Sequence, residues 1–169
     1  KTAYEIPKRD WSSDVCSSDL NINTTSQTER EKYIKDVLIS EINNIINQGH
    51  KLILVYPVPE MAFDPHKLFY SLMIKENLFN EKNFTPTILT GSYEVYKKRH
   101  QKIFEILDSV ESSNIYRVYP HSHFCDKQIK NRCVANDNEN IFYFDDDHLS
   151  LSGSKYVVDD IIKIIQQIE

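Results

Sequence analysis

The residues best suited to chemistry lie in one short stretch near the C-terminus. It runs from Tyr143 to Ser154 and reads YFDDDHLSLSGS. Asp145 and His148 are three positions apart there, so a tight turn can bring the carboxylate beside the imidazole. A carboxylate in that place fixes the imidazole tautomer and stabilises its protonated form, and the other ring nitrogen can act as a general base. The stretch therefore predicts a catalytic pair made of Asp145 and His148.

Metal binding is the main alternative for the same stretch. Aspartate-rich turns also cap helices and bind Ca²⁺, and His148 could be an exposed turn residue without chemistry. The carboxylates of Asp145–Asp147 could also hold a metal ion together with His121 and His123. A metal-binding module is therefore the competing hypothesis from a different class of function.

A nucleophile to accompany the pair is missing from the sequence. The chain has three glycines, and the residues that follow them are His50, Ser92 and Ser154. Ser92 and Ser154 are predicted at or within helices, without the strand–turn–helix context that exposes a nucleophile. The scarcity of glycine also excludes the common phosphate-binding loops. We therefore expect this chain to carry no nucleophile of its own.

The composition is that of a soluble globular domain. The chain has 169 residues, 40% of them apolar and 27% charged, which suits a single domain with a real core. A net charge of -5, without a basic stripe interleaved with aromatics, argues against nucleic-acid binding. No apolar run reaches the roughly 18–20 residues of a membrane-spanning helix, and the first twenty residues lack the apolar core of a signal peptide.

The elements that must position the pair follow from the spacing of apolar residues. The first apolar run is predicted to be a strand buried on both faces, as in a parallel sheet. The order of helices and strands indicates an α/β layered fold with functional residues beyond the carboxyl ends of its strands. The predicted helices cover residues 28–48, 65–79, 92–110 and 150–168, and the predicted strands cover residues 51–57, 114–119 and 141–144.

Single residues are predicted to mark where these helices begin and end. Gly49 should end the first helix, because a left-handed residue at that place closes a helix well. Pro65 suits the first turn of the second helix, and Ser92 suits the N-cap of the third. The segment from Thr85 to Gly91 is predicted to be a loop. The six apolar or aromatic residues predicted on the buried side of the third helix are Tyr93, Tyr96, His100, Ile103, Phe104 and Leu107.

The stretch around the pair resembles the SGNH domains fused to membrane acyltransferases of the acyltransferase-3 family. In SGNH hydrolases the fifth motif block is D-x-x-H, and in this family it typically reads D-x-x-H-L-S-x-x-G. Asp145, His148, Leu149, Ser150 and Gly153 meet every specified position. Ser150 would be the N-cap of the last helix, and Gly153 would allow close packing.

Two further features resemble the same family. ILVYPVPE, residues 53–60, is similar to the family's central strand and the turn that follows it. Cys125 and Cys133, with seven residues between them, resemble its short disulfide loop, which implies an oxidising compartment. A reduced pair, or half of a zinc site with His121 and His123, is the alternative, although zinc sites use a shorter C-x₂₋₄-C spacing.

The first twenty residues, KTAYEIPKRDWSSDVCSSDL, differ from the remainder. They hold the only tryptophan, Trp11, and show neither helical nor strand periodicity. They resemble the conceptual translation of an indexed adapter from short-read sequencing, with KTAYEI before the index and DWSSDVCSSDL after it. We expect residues 1–20, including Cys16, to be such an artefact, and the genuine sequence to begin near Asn21 in a gene cut off on its 5′ side.

The resemblance implies that residues 21–169 are the C-terminal portion of a truncated three-layer αβα, flavodoxin-like SGNH fold with a parallel sheet. The missing N-terminal strands would carry the G-D-S block with the catalytic serine. The parent protein would be an O-acyltransferase that uses a Ser-His-Asp mechanism, with His148 and Asp145 as two of its members. It would transfer an acyl group, expected to be acetyl, to a cell-envelope polysaccharide such as the lipopolysaccharide O-antigen.

The resemblance also implies a setting for that activity. An upstream transmembrane acyltransferase domain would use an acyl donor such as acetyl-CoA, while this domain would need neither cofactor nor metal. The domain would face the periplasm at the bacterial inner membrane and meet a carbohydrate acceptor there. A secreted SGNH carbohydrate esterase without a membrane partner is the alternative within the fold. In either case we expect the chain alone to be inactive.

Overall fold

The structure is a computed structural model that describes residues 26–75 and 87–168. The chain forms two units, residues 1–41 and 42–169, and the first helix begins in one and ends in the other. The segment attributed to an adapter, the end of the predicted second helix and the start of the following loop lie outside the described residues. In chain order the elements are α1 (Gln27–Asn47), β1 (Leu52–Val55), α2 (Pro65–Lys75), β2 (Thr90–Ser92), α3 (Tyr93–Asp108), β3 (Ile115–Val118), α4 (His121–Phe124), β4 (Arg132–Val134) and α5 (Leu151–Ile168).

The predicted α/β fold with a parallel sheet is confirmed. Strands β1 and β3 pair in parallel, with Leu52 opposite Ile115 and Val55 opposite Val118. Parallel neighbours need a long crossover, and here it contains helices α2 and α3. Both strands therefore end at the same edge of the sheet, and the chain leaves that edge in the turn after β1 and in α4.

Burial of β1 on both faces was predicted, and this is wrong for the described structure. Its first three residues are half-buried, and the side chain of Val55 is 45% exposed. Among the described residues β1 has a single neighbouring strand, β3, so it lies at the edge of a two-stranded sheet. An edge position leaves more of each side chain uncovered than the interior of a wide parallel sheet does.

A second, antiparallel strand pair was not predicted. Strands β2 and β4 place Thr90 opposite Val134 and Ser92 opposite Arg132. The Arg132 side chain reinforces this pairing, since its guanidinium donates to the hydroxyl of Thr90 at 2.9 Å and to the Thr90 carbonyl at 2.7 Å. Three-residue strands are too short to show alternation, so sequence reasoning read part of the pair as a loop.

The predicted strand at residues 141–144 is also wrong. This stretch makes isolated bridges to Asn136 and Leu149 and forms no regular strand. Phe142 donates its backbone N–H to the carbonyl of Ala135 at 2.8 Å. Two side chains of the stretch are buried in the core, so its apolar pattern reflects a loop that crosses the interior.

The predicted helix ends are confirmed for α1 and α3. Gly49 adopts a φ of 85°, and its N–H donates to the Ile46 carbonyl while the next N–H donates to the Ile45 carbonyl. This double closure is the Schellman motif, in which glycine carries no Cβ penalty. Ser92 caps α3, since its hydroxyl accepts from the Val95 N–H at 3.3 Å. All six residues predicted on the inner side of α3 are buried or half-buried.

The main hydrophobic cluster lies on either side of the predicted catalytic stretch. It joins the turn after β1 to α4, β4 and the loop that precedes the aspartates. Burial of apolar surface stabilises such a cluster by about 25 cal/mol per Å². Its buried members are Met61, Leu89, Phe124, Cys125, Cys133, Val134, Ala135, Phe142 and Tyr143.

One buried polar side chain, Asn136, ties the loops around this cluster together. Its side-chain oxygen accepts from the Leu89 N–H at 2.7 Å. Its amide donates to the carbonyls of Thr87 and Asp137 at 3.2 and 3.0 Å. A buried amide with these partners is fully compatible with the interior and fixes the approach of the two segments.

Candidate active site

Asp145 and His148 are brought together by the turn that their spacing predicts. One Asp145 oxygen accepts the backbone N–H groups of Asp147 at 3.1 Å and of His148 at 2.7 Å. The His148 Nδ1 atom then lies 3.0 and 2.9 Å from the two Asp145 carboxylate oxygens. The carboxylate therefore shapes the backbone turn and also holds the imidazole.

A third acidic residue, Asp147, also reaches the imidazole. Its carboxylate oxygen lies 2.8 Å from Nδ1 of His148. The hydrogen bond from Asp145, with the charges of Asp147 and Asp145, raises the pKa of His148 above its ordinary value. The protonated imidazole is therefore favoured in this turn.

The charge state of the two carboxyl groups differs. Burial alone would raise the pKa of Asp145, but hydrogen bonds from the backbone N–H groups of His148 and Asp147 and from the imidazole lower it to about 2. Burial, together with the neighbouring Asp145 carboxylate, raises the pKa of Asp147. Asp145 is thus the fixed anion of the site.

The second ring nitrogen of His148 remains for proton transfer. The His148 side chain is 74% exposed, and the contacts to Asp145 and Asp147 are made at Nδ1. A tautomer with the proton on Nδ1 leaves a lone pair on Nε2. This is the arrangement that a general base requires.

Ser150 fastens the C-terminal side of the turn. Its N–H donates to the Phe142 carbonyl at 2.9 Å, and its hydroxyl donates to the Ile141 carbonyl at 2.7 Å. The same hydroxyl accepts from the N–H of Gly153 at 3.3 Å, which is the bond expected of an N-cap. The Phe144 N–H also donates to the carbonyl of His148 at 2.7 Å and closes the loop.

Gly153 lets α5 approach the loop that leads into the turn. A Cβ atom at this position would lie 2.1 Å from the carbonyl oxygen of Phe142. That distance is far below van der Waals contact, so the helix can start at this place only with glycine. The predicted close packing at Gly153 is confirmed.

The turn after β1 supports the catalytic turn from the other side. The Met61 N–H donates to the Asp146 carbonyl at 2.6 Å, across eighty-five positions of sequence. The Asp145–His148 pair therefore lies beyond the carboxyl end of β1, where α/β folds place functional residues. A contact through the main chain leaves no sign in side-chain types, so sequence reasoning missed it.

Cys125 and Cys133 form the predicted disulfide. Both are almost completely buried, and Cys125 ends the short helix α4 while Cys133 lies in β4. With both sulfurs in the bond, neither is a thiolate that could hold zinc in this structure. The disulfide therefore takes the place of the zinc alternative.

His121 and His123 lie away from the aspartate turn. The ring of His121 lies among aromatic rings, 5.7 Å from that of Tyr96 and 5.6 Å from that of Phe104, and burial lowers its pKa. Nε2 of His123 lies 2.6 Å from a carboxylate oxygen of Asp160 on α5. Neither histidine joins the metal arrangement that the sequence left open.

Within the described residues one group of side chains could share a metal ion. It consists of Asp145, Asp147 and His148, whose ligand atoms all lie within 4.8 Å of one another. These are the same side chains that form the imidazole–carboxylate contacts. Exposed acidic clusters are common without an ion, so the geometry favours the catalytic interpretation.

The serines that follow glycine have structural contacts. Ser92 caps α3, and the hydroxyl of Ser154 donates to the Leu151 carbonyl inside α5 at 3.2 Å. In the described part of the chain, the hydrogen bonds of the His148 ring go to Asp145 and Asp147. The site thus holds a base and the group that orients it.

The fold and the site define an α/β domain with a histidine–carboxylate pair beyond the end of a parallel strand. A family model described as "SGNH domain (fused to AT3 domains)" matches residues 8–163, and the chain belongs to this family. The match begins within residues 1–20, whose attribution to an adapter stays a prediction. Comparisons with curated proteins and with solved structures found no match.

The family is defined by fusion to a membrane acyltransferase, which makes the helices of this chain of interest. None of the helices in the described residues combines the length and apolar character that crossing a membrane demands.

Proposed function

We propose that His148 and Asp145 are the base and the orienting carboxylate of a Ser-His-Asp acyl-transfer site. The proposed parent reaction is transfer of an acyl group, expected to be acetyl, to a cell-envelope polysaccharide such as the lipopolysaccharide O-antigen. The observation that carries the proposal is the contact of His148 Nδ1 with Asp145 at 2.9 Å inside the D-x-x-H-L-S-x-x-G turn. Membership of the SGNH family supports the chemistry.

In the proposed reaction His148 moves one proton twice. Nε2 takes the proton of a serine hydroxyl as the serine oxygen bonds to the acyl carbon, and it then gives the proton to the leaving group. In the second half Nε2 takes a proton from the acceptor hydroxyl as that oxygen attacks the acyl-enzyme, and it returns the proton to the serine. Asp145 stays ionised throughout, because its pKa is lowered to about 2.

The serine is proposed to come from a part of the parent protein outside this chain. The sequence holds no G-D-S block, and the two serines after glycine are engaged in helices. The proposed partners are an upstream transmembrane acyltransferase domain, which uses a donor such as acetyl-CoA, and a carbohydrate acceptor. A Ser-His-Asp mechanism needs neither a metal nor a cofactor in this domain.

The proposed location is the periplasmic side of the bacterial inner membrane. The disulfide between Cys125 and Cys133 supports an oxidising compartment, since such bonds persist there and are rare in the cytosol. A secreted carbohydrate esterase would share the compartment and the site, but it would pass the acyl group to water.

The test is acyl transfer by the complete parent protein with His148→Ala. We expect the rate to fall by roughly 10³-fold or more, because loss of one triad member removes most of the catalysis. His50→Ala is the control, since His50 is an exposed histidine at the end of α1, away from the turn. Full transfer by His148→Ala would overturn the proposal, while release of free acid without transfer would favour the esterase.

A further inference from the structure

Helix α3 grips the turn after β1 with three side chains from one face. The Arg99 guanidinium pairs with one carboxylate oxygen of Glu60, and Nε2 of His100 lies 3.4 Å from the other. One turn earlier, the Tyr96 hydroxyl donates to the Pro57 carbonyl at 2.7 Å. Positions three and four apart share a helix face, so all three contacts fix the same segment.

That segment also carries the main-chain anchor of the catalytic turn. Met61 follows Glu60 directly, and its N–H donates to the Asp146 carbonyl at 2.6 Å. Asp146 lies inside the D-x-x-H turn, between Asp145 and His148. Met61 is 1% exposed, so water cannot readily replace this hydrogen bond if the segment moves.

Gly91 allows the same segment to lie close to β2. A Cβ atom on Gly91 would lie 3.2 Å from the Met61 sulfur and 3.3 Å from the Glu60 carbonyl oxygen. These distances are tighter than ordinary contacts, so a larger residue would displace the segment slightly. The place of the Met61 N–H thus depends on Glu60 on one side and on Gly91 on the other.

We propose that Glu60 is a positioning residue for the Asp145–His148 pair. It touches no reacting atom. Held by Arg99 and His100, it sets the position of the Met61 N–H, and that N–H holds the Asp146 carbonyl and the turn around it. The catalytic consequence rests on the proposed function, whereas the positioning can be measured without any catalysis.

An ordinary surface ion pair is the competing account, and a charge effect is another. Arg99 is 59% exposed, and ion pairs with that exposure contribute little by themselves. Arg99→Met separates these accounts by sign. Loss of a positive charge should raise the pKa of His148, whereas a loosened turn should lower it toward the ordinary value of about 6.5.

The experiment measures the His148 imidazole and the Met61 amide in the purified chain by NMR. In Arg99→Met and in Glu60→Gln we expect the pKa of His148 to fall. We expect exchange of the Met61 amide with solvent to speed up roughly two- to fivefold, the extent that a partly exposed ion pair can sustain. Gly91→Ala, which changes no charge, should produce the same two effects, and Arg99→Lys should restore most of the native behaviour.

The matched controls lie on the same helix. Glu94 and Lys97 form an exposed ion pair at 3.0 Å on α3, so Glu94→Gln and Lys97→Met remove the same charges without touching the segment. We expect both controls to leave the Met61 amide unchanged. Unchanged Met61 exchange in both Arg99→Met and Gly91→Ala, or a raised pKa of His148 in Arg99→Met, would overturn the proposal.

A second readout separates this inference from the proposed function. In the complete parent protein, Glu60→Gln should lower kcat with little change in KM and shift the pH profile along with the pKa of His148. If His148→Ala leaves transfer intact while the NMR coupling is present, the proposed function fails and the positioning stands. If His148→Ala abolishes transfer while Met61 is indifferent to Arg99 and Gly91, the positioning fails alone.

Discussion

At the scale of single residues, the catalytic turn is an electrostatic device built by three consecutive aspartates. The Nδ1 atom of His148 has three carboxylate oxygens within hydrogen-bonding distance, two from Asp145 and one from Asp147. Backbone N–H groups keep Asp145 ionised, whereas Asp147 has a raised pKa. One acid thus holds a permanent charge, and the other adjusts to its neighbours.

The first prediction concerns the titration of His148. Asp145→Asn should lower the pKa of His148 toward about 6.5, and Asp147→Asn should lower it less, because the Asp145 hydrogen bond is the largest cause of the shift. Histidine ¹H–¹⁵N NMR over a pH series measures both values. An unchanged pKa in Asp145→Asn would contradict the geometry of the pair.

The signs of the linked stability effects follow from the same shifts. The raised pKa of His148 stabilises the fold below about pH 6.5, and this contribution is lost as the pH rises through the native pKa. The lowered pKa of Asp145 stabilises the fold above about pH 4, and this contribution is lost as the pH falls toward 2. A general base must be neutral, so activity of the parent should rise through the raised pKa of His148.

At the scale of elements, the catalytic turn is held from two sides. Helix α5 begins with Ser150 as its cap and Gly153 against the Phe142 carbonyl, which fixes the C-terminal side. The segment after β1 fixes the middle of the turn through Met61. An exposed imidazole can keep a defined place because the backbone beneath it is anchored at both points.

The second prediction tests the docking of α5. Gly153→Ala should destabilise the fold by at least about 1–3 kcal/mol, because the new Cβ overlaps the Phe142 carbonyl and helix or loop must shift. Ser154→Ala, the next position on the helix, should stay within about 0.5 kcal/mol of the native value. Urea unfolding followed by circular dichroism measures both, and equal midpoints for the two variants would refute the close contact.

The third prediction tests the disulfide loop. Reduction should lower the free energy of unfolding by about 2–3 kcal/mol, the chain-entropy value for a loop of this length. Thermal unfolding with and without a phosphine reductant measures the effect. The double variant Cys125→Ala, Cys133→Ala is the control and should not respond to reductant, whereas an identical response of both proteins would rule out the bond as the cause.

At the scale of the whole molecule, a parallel strand pair and an antiparallel pair surround one apolar cluster. The family assignment connects this architecture with acyl-transfer chemistry, and the site supplies the histidine and the carboxylate for it. A base without a nucleophile cannot complete the proposed reaction. The molecule as a whole therefore defines half of a catalytic apparatus.

The fourth prediction follows from that incompleteness. The purified chain should hydrolyse p-nitrophenyl acetate no faster than its His148→Ala variant at the same pH and concentration, since both lack the nucleophile. Stopped-flow absorbance measures the comparison, with free imidazole as a reference for background catalysis. A burst of product that depends on His148 would reveal a nucleophile within the chain and contradict the prediction.

Local signals in the sequence were enough for much of the fold. The apolar spacing of α3, the capping hydroxyl of Ser92 and the left-handed Gly49 each depend on neighbours within a few positions. The loop at residues 141–144 and strands β2 and β4 were misread for one reason. Their conformation depends on partners distant in sequence, such as Ala135 for Phe142, and apolar pattern alone does not tell a buried loop from a strand.

The sequence by itself determined the identity of the Asp145–His148 pair, because a three-residue spacing closes within one turn and the motif around it belongs to one family. Only the tertiary structure decided what holds that turn in place. The Met61 N–H, the Arg99–Glu60 pair and the space at Gly91 come from segments far apart in the chain. Main-chain hydrogen bonds and close approaches between such segments depend on backbone position in three dimensions, which residue types do not record.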